Sequence, residues 1–208
     1  MDLGAQAKNN FSIKFMINNL RIICFFIALF FTQKVSSQQD NILDDRTFVK
    51  CLIDATGAKV SGDFYLADSL YKKCLDIDPK SGVVNFELSG IYLSLNQPQK
   101  ALEYASNAAI IDPGNEWYLA NLALAYKENA NHKKSAETFS KLIEIKPDKI
   151  SYLFSLTEEL LNGSKYKKAI IVLNKIEEKI GISEDLSIQK QQIYVFLKDK
   201  KKAIDELE

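Results

Sequence analysis

The residues that could carry out chemistry in this sequence are few and scattered. His132 is the single histidine, and it lies in the polar segment 129–134. No cysteine or second histidine stands nearby to share a metal ion, and no nucleophile motif is present. We therefore interpret His132 as a solvated turn residue. The eight glycines are also dispersed and form no loop of the kind that cradles phosphate. The sequence thus predicts no catalytic residues, no cofactor and no metal site, and we do not expect an enzyme.

The first 37 residues have the layout of a secretory signal peptide. A positively charged segment ending at Arg21 precedes the apolar run 22–31, and small residues follow up to Ser37. This order predicts cleavage after Ser37, with Met16 as an alternative start of the chain. The run is shorter than the roughly 18 residues of a membrane-spanning helix. We expect export to the periplasm or cell surface, the alternative being an anchor formed by the uncleaved apolar segment.

Three cysteines raise the question of lipid attachment and of a disulfide. Cys24 lies inside the apolar run, which favours an apolar filler over a lipoprotein cysteine. Cys51 and Cys74 would lie at the same end of a helix pair, and an oxidising compartment permits a disulfide between them. We favour two unpaired core residues, because free cysteine packs well as a small apolar side chain. The disulfide remains the alternative.

The charge of the chain gives no reason to expect nucleic acid or an anionic membrane surface as a partner. Lys and Arg total 27, and Asp and Glu also total 27. The basic cluster 198–202 is interpreted as a solvated turn between helices rather than an anion site. The expected partners are therefore proteins, with membrane contact only through the N-terminal segment if it is uncleaved.

A fixed period determines the expected architecture. Pro79, Pro113 and Pro147 are each 34 residues apart, and a period of that size predicts an array of helix–turn–helix repeats. We expect a linker over 38–47, in which Thr47 caps a helix that begins at Phe48. The array should then occupy 48–208, in units 48–81, 82–115, 116–149, 150–183 and a partial unit 184–208.

These repeats resemble tetratricopeptide repeats, a 34-residue helix–turn–helix family. The motif positions are occupied by Leu88, Ser89, Tyr92, Ala101, Ala108 and Pro113, by Leu122, Ala123, Tyr126, Phe139 and Pro147, and by Leu156, Thr157, Leu160 and Ala169. The tryptophan of the family pattern is replaced by Cys51, Asn85, Leu119, Leu153 and Ser187. The resemblance implies an all-α fold, an α-solenoid of stacked antiparallel helix pairs in a right-handed superhelix. It also implies a concave groove lined by the first helix of each pair.

The resemblance further implies which side chains line that groove. The apolar ones are Val83, Phe86, Leu93, Trp117, Leu124, Phe154 and Leu161. Phe86 and Ala120 stand where some family members use lysines to hold a peptide carboxylate, so we do not expect that kind of recognition here. An apolar groove suits an amphipathic helix or an extended apolar segment of a partner. In the alternative, Phe86, Trp117 and Phe154 pack between repeats or are covered by the ends of the chain.

The expected function is that of an exported, non-enzymatic scaffold that binds a partner peptide or helix in this groove. The alternative is a sensory or docking segment of a larger signalling or catalytic protein truncated at residue 208. That alternative rests on the stop at Glu208, part-way through the second helix expected of the fifth unit.

Overall fold

The computed structural model describes residues 45–206, which are helical with short turns and contain no strand. The predicted signal peptide 1–37 and the predicted linker up to residue 44 lie outside the described residues. Backbone contacts divide the chain into two compact units, Met1–Lys50 and Cys51–Glu208. Of the first unit, only residues 45–50 are described, and they are helical. No helix in the described range is both long and apolar enough to cross a membrane.

The helices alternate with short turns along the whole described range. Helix α1 runs through residues 45–60 as far as it is described. The following helices are α2 (Phe64–Ile77), α3 (Gly82–Ser94), α4 (Pro98–Ile111), α5 (Glu116–Glu128), α6 (His132–Ile145), α7 (Ile150–Asn162), α8 (Tyr166–Ile180), α9 (Glu184–Phe196) and α10 (Lys200–Asp205). Helices α3, α5, α7 and α9 therefore begin one 34-residue period apart.

Within the second unit, successive helices pack side by side. Each helix from α2 to α9 contacts the next one along the chain, and α3 also contacts α5, the first helix of the neighbouring pair. A single helix pair cannot bury its apolar faces, whereas stacked pairs share a continuous core. The predicted all-α fold, an α-solenoid of stacked antiparallel helix pairs, is confirmed.

The same turn joins the two helices of every pair. Five residues spaced 34 apart have a positive φ between 53° and 83°: Gly62, Asn96, Ala130, Ser164 and Lys198. The amide after each of them donates to the carbonyl five residues earlier, as Gln97 does to Tyr92 at 2.8 Å. This hydrogen bond caps the C-terminus of the helix, as in a Schellman motif. Since only Gly62 among the five is glycine, the packed helices impose the left-handed conformation on the other four.

The first helix of most pairs is capped by a short polar side chain. Ser81, Asn115 and Ser183 precede α3, α5 and α9, and each accepts a hydrogen bond from a backbone amide of the first turn. Lys149 stands at this position before α7, where its side chain makes no capping bond. A lysine ammonium can only donate, so its hydrogen bonds go elsewhere.

Small residues allow the two helices of a pair to approach closely. Ala101, Ala105 and Ala108 on α4 are fully buried. In the second repeat, Ser89 Oγ donates to the carbonyl oxygen of Ala101 at 2.9 Å. The third repeat keeps this bond with the roles exchanged, because Ser135 Oγ donates to Ala123 O at 2.9 Å. In both repeats this hydrogen bond satisfies the buried serine hydroxyl and lets the two helices stay close together.

The structure corrects three expectations about the ends of the array. Thr47 does not cap the first helix, because residues 45–47 are already helical. Cys51 and Cys74, favoured as unpaired core residues, form a disulfide, with their Cα atoms 5.7 Å apart on α1 and α2. Facing helices can be bridged at that distance, which the sequence alone does not reveal. Of the basic cluster 198–202, the last three residues belong to α10 rather than to a turn.

Candidate functional site

The seven predicted groove residues lie on α3, α5 and α7, at equivalent positions of successive repeats. We call the surface formed by Val83, Phe86, Leu93, Trp117, Leu124, Phe154 and Leu161 the A-helix surface. Four of its side chains are exposed: Trp117 by 65%, Val83 by 47%, Leu124 by 44% and Phe154 by 41%. Much of the Trp117 and Phe154 side chains is therefore accessible in the described part of the chain, while the binding role of the groove stays a prediction.

The other three members of the A-helix surface are half-buried, and two of them take part in packing. The ring of Phe86 lies 5.7 Å from the ring of Tyr118, tilted by 34°. Leu161 packs against the central hydrophobic core. For Phe86, the packing alternative therefore describes much of what the side chain does. The surface available to a ligand is dominated by the four exposed side chains.

Polar contacts hold neighbouring first helices in register along the A-helix surface. Asn121 Nδ2 on α5 donates to Phe86 O on α3 at 3.4 Å. Lys127 Nζ on α5 donates to both carboxylate oxygens of Glu158 on α7, at 2.7 and 2.8 Å. The hydrogen bond to Glu158 raises the pKa of Lys127. The two charges of this pair compensate each other beside the apolar side chains.

A second polar cluster, which the sequence reasoning missed, lies at the start of α5 and α7. Lys149 Nζ donates to Glu116 Oε1 at 2.7 Å, and the hydroxyl of Tyr152 donates to the same oxygen at 2.7 Å. These two hydrogen bonds, that of Lys149 first, lower the pKa of Glu116. Burial raises the pKa of Tyr152. The 34-residue period places Glu116 beside the first turn of α7, so the period could have predicted this cluster.

The Lys149 ammonium also contacts the most exposed aromatic residue of the A-helix surface. Its Nζ atom lies 5.4 Å from the centre of the Trp117 ring and 4.6 Å from that of Tyr152. Cation–π attraction of this kind holds a ring in one orientation at modest energetic gain. Trp117 is thus fixed on one side and open to solvent on the other.

His132 is not the solvated turn residue that the sequence suggested. It is the first residue of α6, and its Nδ1 atom lies 3.1 Å from Glu159 Oε2 on α7. The side chain of Glu159 is fully buried, while that of His132 is 30% exposed. Among residues 45–206, no three His, Cys, Asp or Glu side chains are placed to hold a metal ion. The pair therefore connects α6 to α7, the first helix of the next repeat.

Comparison with known proteins agrees with this fold. Residues 118–149 match the tetratricopeptide repeat family. Over 152 residues the chain is 32% identical to sperm-associated antigen 1 of Homo sapiens. That match covers 72% of this chain but 16% of the human protein, so the chain spans about a sixth of this relative's length.

Solved structures show the same architecture at low sequence identity. A crystal structure of MamA superposes with a TM-score of 0.68 at 17% identity, covering 77% of this chain and 88% of that one. YrrB, described as a TPR protein with an unusual peptide-binding site, gives a TM-score of 0.64 at 15% identity, covering 74% and 79%. The family match therefore identifies one tetratricopeptide repeat in this chain, and the solved structures show a shared fold. Tetratricopeptide repeat proteins act as scaffolds for protein–protein interaction.

Proposed function

We propose that this protein is an exported, non-enzymatic scaffold that binds an apolar peptide or helix of a partner protein on the A-helix surface. The observation that carries the proposal is the exposure of four apolar side chains on three neighbouring helices, with Trp117 and Phe154 among them. Exposed apolar side chains that form one patch are typical of binding surfaces. Exposed aromatic residues commonly provide most of the binding energy.

The charges around the A-helix surface favour an apolar partner over an acidic one. Lys127 is paired with Glu158, and Lys149 with Glu116, so neither ammonium is left uncompensated. A partner carboxylate would have to displace an internal carboxylate, at a cost in desolvation. Apolar side chains of a partner would instead cover Trp117 and Phe154 without breaking either ion pair.

The fold relatives give independent support for peptide binding. YrrB combines a similar helical solenoid with a peptide-binding site. In a repeat array the first helices form an extended surface, on which an extended peptide or a helix can lie across several repeats. The A-helix surface spans three repeats of this chain and so offers contacts along such a segment.

Trp117 provides a direct test, because it is the only tryptophan in the chain. Peptides that bind the purified protein would be selected from a random display library. We expect the selected peptides to be rich in apolar and aromatic residues and to shift the Trp117 emission to shorter wavelength. Phe154→Ser should weaken binding by tenfold or more, on the order of a hot-spot truncation. Ile110→Ser, which removes a 75% exposed apolar side chain from α4, is the matched control.

The groove proposal fails if Phe154→Ser and the wild type bind the selected peptides equally, with no change in Trp117 emission. Phe86 is unsuitable for this test, since its packing on Tyr118 couples its removal to folding. Circular dichroism of Phe154→Ser should match that of the wild type, because this side chain is 41% exposed.

Export has its own test. Residues 1–45 fused to alkaline phosphatase, which is active only outside the reducing cytoplasm, should give an active reporter in the native host. N-terminal sequencing of the mature protein should begin at Gln38. An inactive reporter would contradict export, and an active but uncleaved fusion would favour the anchored alternative.

A further inference from the structure

The repeats provide an internal reference that marks Glu159 as exceptional. The residues at the equivalent position of the other described first helices α1, α3, α5 and α9 are Gly57, Ile91, Ala125 and Ile193. Gly57, in the first repeat, is exposed, whereas the other three are buried apolar side chains. Glu159 is equally buried, with its residue 1% exposed. Since burial of a carboxylate in an apolar core is costly, a glutamate at this position calls for a specific reason.

Contacts within the protein satisfy only half of the Glu159 carboxylate. Its Oε2 atom is 3.1 Å from His132 Nδ1. Its Oε1 atom is buried and has no hydrogen-bond partner among the described residues. Buried polar atoms are nearly always hydrogen-bonded, so an unsatisfied carboxylate oxygen indicates that a donor is missing.

Glu159 also lies on the wall of a cavity of about 570 Å³ between α6 and α8, with α7 as its floor. Pockets of this size bind small molecules. Compared with the preceding repeat, three positions on its wall carry smaller side chains, whereas Glu159 itself is larger than Ala125. The replacements are Ala136 for Leu102, Leu160 for Tyr126 and Gly163 for Asn129.

At the preceding interface, the side chain of Asn129 connects neighbouring helices. Asn129 Nδ2 donates to Pro98 O and to Ala125 O, both at 2.7 Å, and so ties α5 to the start of α4. Gly163 has no side chain to do this, and the His132 side chain lies against it instead, 3.7 Å from a Cβ built at Gly163. Gly163 thus contributes no side chain to the space in which His132 and Glu159 meet.

The lining of the cavity combines apolar walls with separated charges. Leu156, Ile171 and Val172 contribute apolar surface. Lys133, Lys165 and Lys168 also line it, together with Glu137. The three lysines form no ion pair within the described part of the chain. A ligand that fits this lining carries an apolar body, a donor for Glu159 and a negative group for the lysines.

We propose that this cavity binds a small apolar zwitterion, an apolar amino acid or dipeptide with free ends. Its ammonium group donates to Glu159 Oε1, and its carboxylate pairs with the lysines. His132, hydrogen-bonded to Glu159 and 30% exposed, turns toward solvent to admit the ammonium group. This site is separate from the A-helix surface, so it adds a small-molecule ligand to the proposed scaffold.

The test uses the full-length protein and three matched probes in isothermal titration calorimetry. Leucyl-phenylalanine carries both charged ends, its N-acetyl form lacks the ammonium group, and its C-terminal amide lacks the carboxylate. We expect leucyl-phenylalanine to bind at least tenfold more tightly than either modified form, because each modification removes one charged hydrogen-bonding group.

Variants of the cavity make the test specific. Glu159→Gln should weaken leucyl-phenylalanine binding tenfold or more, while leaving the affinity for the N-acetyl form unchanged. Ala136→Leu, which restores the residue of the preceding repeat, should fill the space and abolish binding without unfolding the protein. Glu144→Gln removes an exposed carboxylate from α6 outside the cavity and should bind like the wild type.

Three results would overturn the proposal. The first is that none of the three probes binds the wild-type protein. The second is that the N-acetyl form binds as tightly as the free dipeptide and is insensitive to Glu159→Gln, which would make the cavity a carboxylate site. The third is that Ala136→Leu, with an unchanged circular dichroism spectrum, binds as the wild type does.

Discussion

Replacing Glu159 by isoleucine should stabilise the protein. Isoleucine is the residue at the equivalent positions 91 and 193, where it is buried with 0% and 6% exposure. The substitution removes a buried carboxylate oxygen that has no partner in the described part of the chain. Leaving such a group unsatisfied costs roughly 1–3 kcal/mol, more when it is charged. The added methyl groups can occupy part of the adjacent cavity, so overpacking should be small.

The expected gain in the free energy of unfolding is therefore about 1–3 kcal/mol. The loss of the hydrogen bond to His132 offsets little of it, because a ring that is 30% exposed can bond to water instead. For a chain of this length, each kcal/mol corresponds to roughly 2–4 °C in melting temperature. A rise of about 2–12 °C is the measurable outcome.

Urea denaturation and thermal melting of Glu159→Ile and wild type would measure this change. The reciprocal substitution Ile193→Glu, which places a carboxylate at the equivalent position of α9, should destabilise by about 3 kcal/mol or more. If Glu159→Ile instead lowers the free energy of unfolding by more than about 1 kcal/mol, the reasoning is refuted. Glu159 would then be a satisfied structural residue. Stabilisation accompanied by loss of dipeptide binding would fit the usual conflict between a functional site and stability.

Three further predictions concern the ends, the turns and the pH dependence. Cys51→Ser, or reduction of the bond to Cys74, should lower the free energy of unfolding in urea by about 3 kcal/mol, since the disulfide closes a loop with a sequence separation of 23; unchanged stability would contradict it. Ala130→Gly should raise the free energy of unfolding by about 0.5–1 kcal/mol, because alanine is held at a φ of 54°. A decrease in the free energy of unfolding would contradict this prediction and would mean that the alanine methyl group packs favourably. The pKa of Glu116 is lowered chiefly by the hydrogen bond from Lys149. The contribution of Glu116 to the free energy of unfolding is therefore present above its unfolded-state pKa and is lost as the pH falls through its folded-state pKa. Denaturation at a series of pH values should show this loss in the wild type and a flatter dependence in Glu116→Gln.

The sequence by itself determined the repeat and therefore the fold class. Prolines 34 residues apart and small residues at matching positions require that helix pairs stack, because one pair cannot bury its apolar stripe. The same period correctly placed the starts of four first helices, since capping residues and helix faces are local properties of the chain. It also selected the positions of the A-helix surface, although only as an implication of the resemblance. The predicted signal peptide and export remain predictions.

Only the tertiary structure decided which of these positions are accessible and which polar residues are buried. Phe86 and Trp117 look equivalent in the sequence, yet Phe86 packs on Tyr118 while Trp117 is 65% exposed. Likewise, the period aligns Glu159 with Ile91 and Ile193, but only the structure shows that its Oε1 atom is buried without a partner in the described part of the chain. It also shows that Cys51 and Cys74 approach within bridging distance. Burial and pairing depend on residues contributed by other helices, in some cases from a neighbouring repeat. The period places each helix in the stack, but the side chains that meet across the stack set the chemistry at each position.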